Sequence, residues 1–106
     1  MSETDGAYEK RAYQVELDTM MGKRAGNLLI QLFGEHFSGV LQLMQTENPV
    51  EGKVFADGRC TFSGSLRTKI KLYSLSGEGL LLPERVDLRL RCGGGILPLR
   101  GIRRAE

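Results

Sequence analysis

Residues that could take part in chemistry are few and scattered along the chain. The single histidine, His36, lies in the segment Gly-Glu-His-Phe at 34–37, which is typical of a hairpin turn, and no Gly-x-Ser-x-Gly motif occurs. A serine or cysteine nucleophile needs an adjacent base, so neither an esterase nor a protease is expected. The carboxylates that paired-acid catalysis would use fall on the strand face that we assign to solvent: Glu16, Asp18, Glu51 and Asp87. We therefore predict that the protein is not an enzyme.

The two cysteines, Cys60 and Cys92, each lie in a strand-like run and share their parity with apolar neighbours. This pattern favours buried free thiols over a disulfide. One histidine and two separated cysteines make no metal-ligand cluster, so we expect neither a metal nor another cofactor. The acidic start of the chain lacks a secretory signal, and no apolar run approaches the ~18 residues of a membrane span. A cytoplasmic location and no membrane partner are predicted.

Charge does not identify a partner. Lys plus Arg is 15 and Asp plus Glu is 13 in 106 residues, a net charge of +2 that is too small to require a polyanion. We assign a group of cations to the outward faces of strands five to seven, and their most ordinary interpretation is a solvated strand face. Binding of single-stranded nucleic acid is a lesser alternative, because Tyr73 alone offers a stacking surface there. These cations are Arg59, Arg67, Lys69, Lys71, Arg89 and Arg91.

Apolar residues alternate with polar ones along most of the chain, and no long window holds a helical pattern. The alternation predicts eight strands, the sixth ending in a turn at 76–79 and the eighth without a clear inward parity. The predicted strands are 13–18, 28–32, 37–45, 50–56, 60–67, 69–73, 86–92 and 96–102.

Eight short strands with tight turns leave no room for crossover helices, so an antiparallel meander is expected, as a barrel or a sandwich. Phe-Ser-Gly at 37–39 recurs at 62–64, and Gly52 falls midway. One glycine per strand at a similar depth favours a sharply coiled small barrel. The prediction is an all-β protein: an up-and-down barrel over 13–106, preceded by a polar segment over 1–12.

Several turn and kink residues also carry a family resemblance over about residues 13–103. They are Tyr13-x-Val15-x-Leu17-x-Thr19-x-Met21-Gly22, Phe37-Ser38-Gly39, Asn48-Pro49, Asp57-Gly58 and Phe62-Ser63-Gly64-x-Leu66. The chain resembles a family of small uncharacterised bacterial proteins whose first hairpin carries Thr-Pro-Met-Gly; here Met20 replaces the proline, and Val50 replaces the aromatic residue after Asn-Pro. The resemblance implies a calycin-like barrel, similar in outline to lipocalins and streptavidin, and it supplies no catalytic residues to carry over.

A weaker resemblance concerns Ser-Leu-Ser-Gly-Glu-Gly at 74–79. It looks like the Asp-x-Ser-x-x-Gly segment of PilZ domains, which bind a cyclic dinucleotide. Ser74 replaces the aspartate, and no Arg-x-x-x-Arg precedes the segment, so the arginine pair that would clamp the phosphates is missing. Cyclic-dinucleotide binding is therefore a lesser alternative.

The interior of the predicted barrel is the first candidate site. An eight-stranded barrel is either filled by side chains or holds one small ligand. Gly39, Gly52 and Gly64 would free interior volume, whereas Phe37 and Phe62 would fill it, and the sequence leaves both alternatives open. We predict a small apolar ligand, bound among Tyr13, Val15, Leu17, Leu41, Leu43, Phe62, Leu88 and Leu90.

The alternative function is a protein-interaction module with no ligand. Apolar residues on the parity opposite the core cluster on predicted strands two to four, which suggests a homodimer or a protein partner. Burial of this face by a loop or by the N-terminal segment is the competing interpretation. The candidate interface residues are Leu29, Phe33, Val40, Met44 and Phe55.

Overall fold

The molecule is a closed eight-stranded antiparallel barrel. The computed structural model describes residues 8–43, 45–67 and 71–104, with Tyr8 described by its backbone alone. The strands are β1 Tyr8–Thr19, β2 Gly22–Phe33, β3 His36–Leu43, β4 Thr46–Val54, β5 Arg59–Arg67, β6 Leu72–Leu81, β7 Arg85–Cys92 and β8 Gly95–Arg103. Each strand pairs with the next, and β8 pairs with β1. The predicted all-β meander and its closure into a barrel are confirmed.

The up-and-down course of the chain gives the barrel two distinct ends. The connections after β1, β3, β5 and β7 lie at one end, called here the turn end. The start of β1 and the end of β8 lie at the other, called the terminal end. In β1, Tyr13, Val15 and Leu17 are buried while Gln14 and Glu16 are exposed, as a strand with one face on the core requires.

The sixth strand differs from its prediction. The sequence pattern places Ile70 and Leu72 inward and a turn at 76–79, but β6 runs straight through that segment and Leu72 is largely exposed. The inward residues of β6 have the opposite parity and include Leu75 and Leu81. Ile70 lies outside the described residues. The prediction was wrong because Gly77 and Gly79, which face the interior, were interpreted as turn residues.

The first and last strands also differ from their predictions or complete them. β1 begins at Tyr8, earlier than the predicted first strand, and the proposed boundary between residues 12 and 13 stays a prediction. In β8, Leu99 is buried and Leu97 is half-buried, which defines the inward parity that the sequence left open. Register pairs of Leu99 with Leu17 and with Leu88 complete the core across the closing strands.

Inward-facing glycines allow adjacent strands to approach closely. A Cβ atom placed on Gly39 would lie 2.8 Å from Ile30 Cα, and one placed on Gly52 would lie 2.7 Å from Phe62 Cα. Neither position has room for any side chain without separating two paired strands. The glycine spacing therefore marks the strongly coiled part of the barrel, as the sequence indicates.

A buried asparagine joins three strands near the turn end. Asn48 Nδ2 donates to the Leu41 carbonyl on β3 at 2.9 Å, and its Oδ1 accepts from the Arg67 amide on β5 at 2.7 Å. The next residue, Pro49, has no N–H to give to a strand ladder. The Asn48 side chain thus supplies hydrogen bonds between β4 and its neighbours beside a position where the backbone cannot donate.

Candidate functional site

The predicted ligand-lining residues do come together in the barrel interior. All eight are buried in one apolar core: Tyr13, Val15, Leu17, Leu41, Leu43, Phe62, Leu88 and Leu90. The interior cavity that remains has a volume of about 20 Å³, and its lining includes Leu41, Phe62, Leu88 and Leu90. That volume holds about one water molecule, whereas small-molecule sites occupy roughly 300–1,000 Å³.

The phenylalanines occupy the space that the glycines leave. Gly52 is the register partner of both Phe37 and Phe62. On its other side, Phe62 pairs with Gly77, and a Cβ on Gly77 would lie 2.5 Å from Phe62 Cζ. Large and small residues therefore alternate across neighbouring strands, which produces the close packing typical of a folded core. This arrangement is the filled alternative of the two that the sequence left open.

A polar network lies at the terminal end of the interior. The Tyr13 hydroxyl donates to the Leu82 carbonyl at 2.6 Å, and Arg11 Nη1 donates to the Tyr13 hydroxyl at 3.3 Å. Arg11 Nε also pairs with Glu9 at 2.9 Å. Burial raises the pKa of Tyr13, which keeps the phenol protonated and able to donate. Sequence analysis missed this network, although Arg11 shares the inward parity of Tyr13.

The thiols are poorly suited to nucleophilic chemistry. Cys60 and Cys92 are both free, and burial raises the pKa of Cys60 to about 11. Burial also raises the pKa of Cys92. Thiolate is the reactive form, so a thiol with a raised pKa reacts slowly at neutral pH. Among the described residues, no group of three or more His, Cys, Asp or Glu is arranged to hold a metal ion.

The predicted interface residues separate into two groups on the outer wall. Leu29 and Val40 are half-buried register partners, whereas Phe33 and Phe55 are more exposed and lie toward the terminal end. Met44 lies outside the described residues. Cross-strand pairing extends the first group in both directions. We call this group the apolar row; it consists of Ala12, Leu29, Val40 and Pro49.

A polar strip separates the apolar row from the two phenylalanines. Gln31, Ser38 and Glu51 are exposed register neighbours on β2, β3 and β4. A shallow, open groove runs beside Val40 and Pro49 on this wall, and Ser38 is part of its lining. Of the predicted interface residues, Leu29 and Val40 therefore lie together in the apolar row, while Phe33 and Phe55 lie apart from it.

Acidic residues partly neutralise the predicted basic surface of β5–β7. Glu78 lies between Arg91, at 3.2 Å, and Arg89, at 3.6 Å. The hydrogen bond and charge of Arg91 contribute most to lowering the pKa of Glu78. Arg59 pairs with Asp57 at 2.8 Å, and Lys69 lies outside the described residues. Sequence analysis missed this compensation because Glu78 was assigned to a turn.

The described part of the chain contains no helix with the length and apolar character needed to span a membrane. Comparisons with protein-family models, with curated proteins and with solved structures found no match to this chain. Its function is therefore inferred from the interior and the surfaces of the barrel itself.

Proposed function

We propose that this protein is a non-enzymatic, calycin-like barrel that acts as an interaction module and pairs with a second copy through the outer wall of β2–β4. The apolar row is the observation that carries the proposal. Leu29, Val40 and Pro49 are contiguous register partners on a wall whose other outward residues are mostly polar. Apolar side chains aligned in this way on a solvent face mark an association surface.

The closure of the barrel restricts how two copies can associate. A closed sheet has no free strand edge, so strand addition is not open to it and association must use side chains. A twofold dimer brings the same surface of each copy into contact. Two apolar rows placed across each other would cover Leu29 and Val40 while the adjoining groove receives the partner's wall.

The test is the oligomeric state of a doubly charged variant. Leu29→Lys with Val40→Lys places two like charges in each half of the interface, so we expect a folded monomer in place of a dimer. Light scattering coupled to gel filtration gives the mass, and circular dichroism reports folding. Ser74→Lys, an exposed change on β6, is the control and should remain dimeric.

Val40→Ser is the milder variant if the double lysine variant does not fold. It should raise the dimer dissociation constant without unfolding the barrel, because it shortens one half-buried side chain. A wild-type protein that is monomeric at tens of micromolar would refute the proposal. So would a folded Lys variant that stays dimeric.

The small apolar ligand stays a second prediction. The wholly apolar lining of the interior cavity favours it, but its 20 Å³ volume means that core side chains such as Phe62 must move to admit a ligand. Native mass spectrometry of the purified protein distinguishes the two functions in one measurement. A dimer without added mass supports the interaction module, whereas an added mass of roughly a few hundred daltons supports the ligand.

The remaining partner and location proposals rest on simpler observations. Two free thiols support a cytoplasmic location, because reducing compartments keep thiols unpaired. The ion pairs of Glu78 with Arg89 and Arg91 reduce the positive charge available to a nucleic acid. Nucleic acid therefore stays the lesser alternative.

A further inference from the structure

Large apolar side chains are exposed at the turn end of the barrel. Met20 and Met21 form the tip of the β1–β2 turn and are 99% and 83% exposed. Leu72, at the start of β6, and Ile96, at the start of β8, are 53% and 59% exposed. Large apolar side chains are exposed elsewhere too, at Phe33, Phe55 and Ile102. The turn end differs because two of them are adjacent at the tip of a turn, where polar residues are usual.

The turn that carries the two methionines is fixed by its own hydrogen bonds. Thr19 Oγ1 donates to the Gly22 carbonyl at 2.6 Å and accepts from the Met21 amide at 3.2 Å. Gly22 has a φ of +106°, which a residue with a side chain rarely adopts. None of these contacts uses a methionine side chain, so polar residues at 20 and 21 would satisfy the turn equally well. The methionines are therefore explained by an external contact better than by the fold.

Cations lie next to each of these apolar side chains. Arg91 is the register partner of Ile96, and Arg67 is the register partner of Leu72. Lys23 and Arg24 follow the methionine turn directly. Among the described residues, Lys23 pairs with Glu16 at 3.8 Å and lies opposite Asp18. Arg91 contacts Glu78 at 3.2 Å, and Glu47 lies near the start of β4. Five cations at this end outnumber these four acids, and they are Lys23, Arg24, Arg67, Lys71 and Arg91.

We propose that the turn end docks on the surface of an anionic lipid bilayer. In this arrangement, Met20 and Met21 enter the boundary between headgroups and acyl chains, and the surrounding cations contact anionic headgroups. Apolar side chains that enter this boundary, together with nearby lysine and arginine, are the two elements of peripheral binding to anionic membranes. The positive charge disfavours contact between the turn ends of two copies, because like charges would be brought together.

This surface is separate from the proposed dimer face. The apolar row lies on the wall of β2–β4, whereas the docking residues belong to the β1–β2 turn and to strand ends at the turn end, so one can be altered without the other. The proposal departs from the expectation of no membrane partner. That expectation rested on the lack of a long apolar run, which excludes a spanning helix and says nothing about a surface contact.

The first test uses a tryptophan reporter, since the chain contains none. Met20→Trp should show a blue shift of its fluorescence with vesicles of phosphatidylcholine and 30% phosphatidylglycerol. Phosphatidylcholine alone should produce little change. Phe33→Trp, at the terminal end, is the control and should give no shift with either vesicle.

The second test is co-sedimentation of the unlabelled protein with the same vesicles. Met20→Asp with Met21→Asp should reduce binding at least tenfold. Lys23→Gln with Arg24→Gln should weaken it about thirtyfold at low salt, since each cation near an anionic surface contributes about fivefold. Lys53→Gln with Arg85→Gln removes the same charge away from the turn end and should leave the affinity unchanged.

Three results would overturn the proposal. The first is no sedimentation of the wild-type protein with anionic vesicles, and the second is equal sedimentation with neutral vesicles. The third is a blue shift of Met20→Trp that rises with protein concentration in the absence of lipid, because it would identify the turn end as a contact between protein molecules.

Discussion

Asn48 has a structural role that its position in the sequence does not reveal. Its amide hydrogen bonds reach a β3 carbonyl and a β5 amide, and it is the buried polar side chain of the described core. Asn48→Ala would leave the Leu41 carbonyl and the Arg67 amide without this partner. An unsatisfied buried group costs ~1–3 kcal/mol, so we expect the free energy of unfolding to fall by about 2–3 kcal/mol in urea denaturation.

The exposed amide of Gln42 provides a comparison for the buried amide of Asn48. Gln42 donates to Glu47 at 3.3 Å on the outer wall of β3 and β4. Gln42→Ala should change the free energy of unfolding by less than about 0.5 kcal/mol, because water replaces the lost contact. Equal losses in Asn48→Ala and Gln42→Ala would show that burial of the Asn48 amide is not what stabilises this part of the barrel.

The close pairing of strands β2 and β3 depends on the absence of a side chain at Gly39. A Cβ there would lie 2.8 Å from Ile30 Cα, a backbone atom that cannot rotate away. Gly39→Ala should therefore lower the free energy of unfolding by about 1–3 kcal/mol, as overpacking does, and this is measured in urea. Gly95→Ala is the control, since its added Cβ would meet only the Cys92 carbonyl oxygen at 3.9 Å. A tolerated Gly39→Ala would contradict the close approach of these strands.

Glycines also explain why most strands, but not β6, could be predicted. Gly39, Gly52 and Gly64 each lie in a run of alternating apolar residues, so their strands are evident from the sequence. In the segment 76–79, two glycines and a serine have the composition of a turn. The sequence cannot distinguish a glycine that permits a turn from one that admits a neighbouring ring. The difference lies in the cross-strand partner of Gly77, which is Phe62.

In the candidate site, too, the alternating sequence pattern predicts which residues are buried but not how the strands align. Alternation was sufficient to place residues such as Tyr13, Leu41 and Leu88 in the interior. Whether that interior is filled depends on Gly52 lying between Phe37 and Phe62, and this follows from strand register, which alternation alone does not give. Arg11 was missed because an arginine inside a barrel end is recognised only with its partners, Glu9 and Tyr13.

For the whole molecule, closure and filling of the barrel support our proposal that partners bind to its outer surface. The sheet has no free edge, and the interior retains a volume of about 20 Å³. Both surfaces that we propose for partners, the dimer surface on β2–β4 and the lipid surface at the turn end, lie on the outside of the barrel. Because the two surfaces are separate, Val40 variants should change the dimer dissociation constant, and Met20 variants should change binding to anionic vesicles.

Phe62→Ala tests directly whether the barrel is filled. The Phe62 ring lies in the core between Gly52 and Gly77, so its removal should cost about 3–5 kcal/mol of unfolding free energy and leave an apolar cavity. Such cavities bind benzene, so benzene should raise the melting temperature of the variant and leave that of the wild type unchanged. Phe33→Ala, an exposed phenylalanine, should have little effect on either quantity. A wild-type barrel that benzene stabilises as strongly as the variant would show that the core opens readily, and would favour the small apolar ligand over the interaction module.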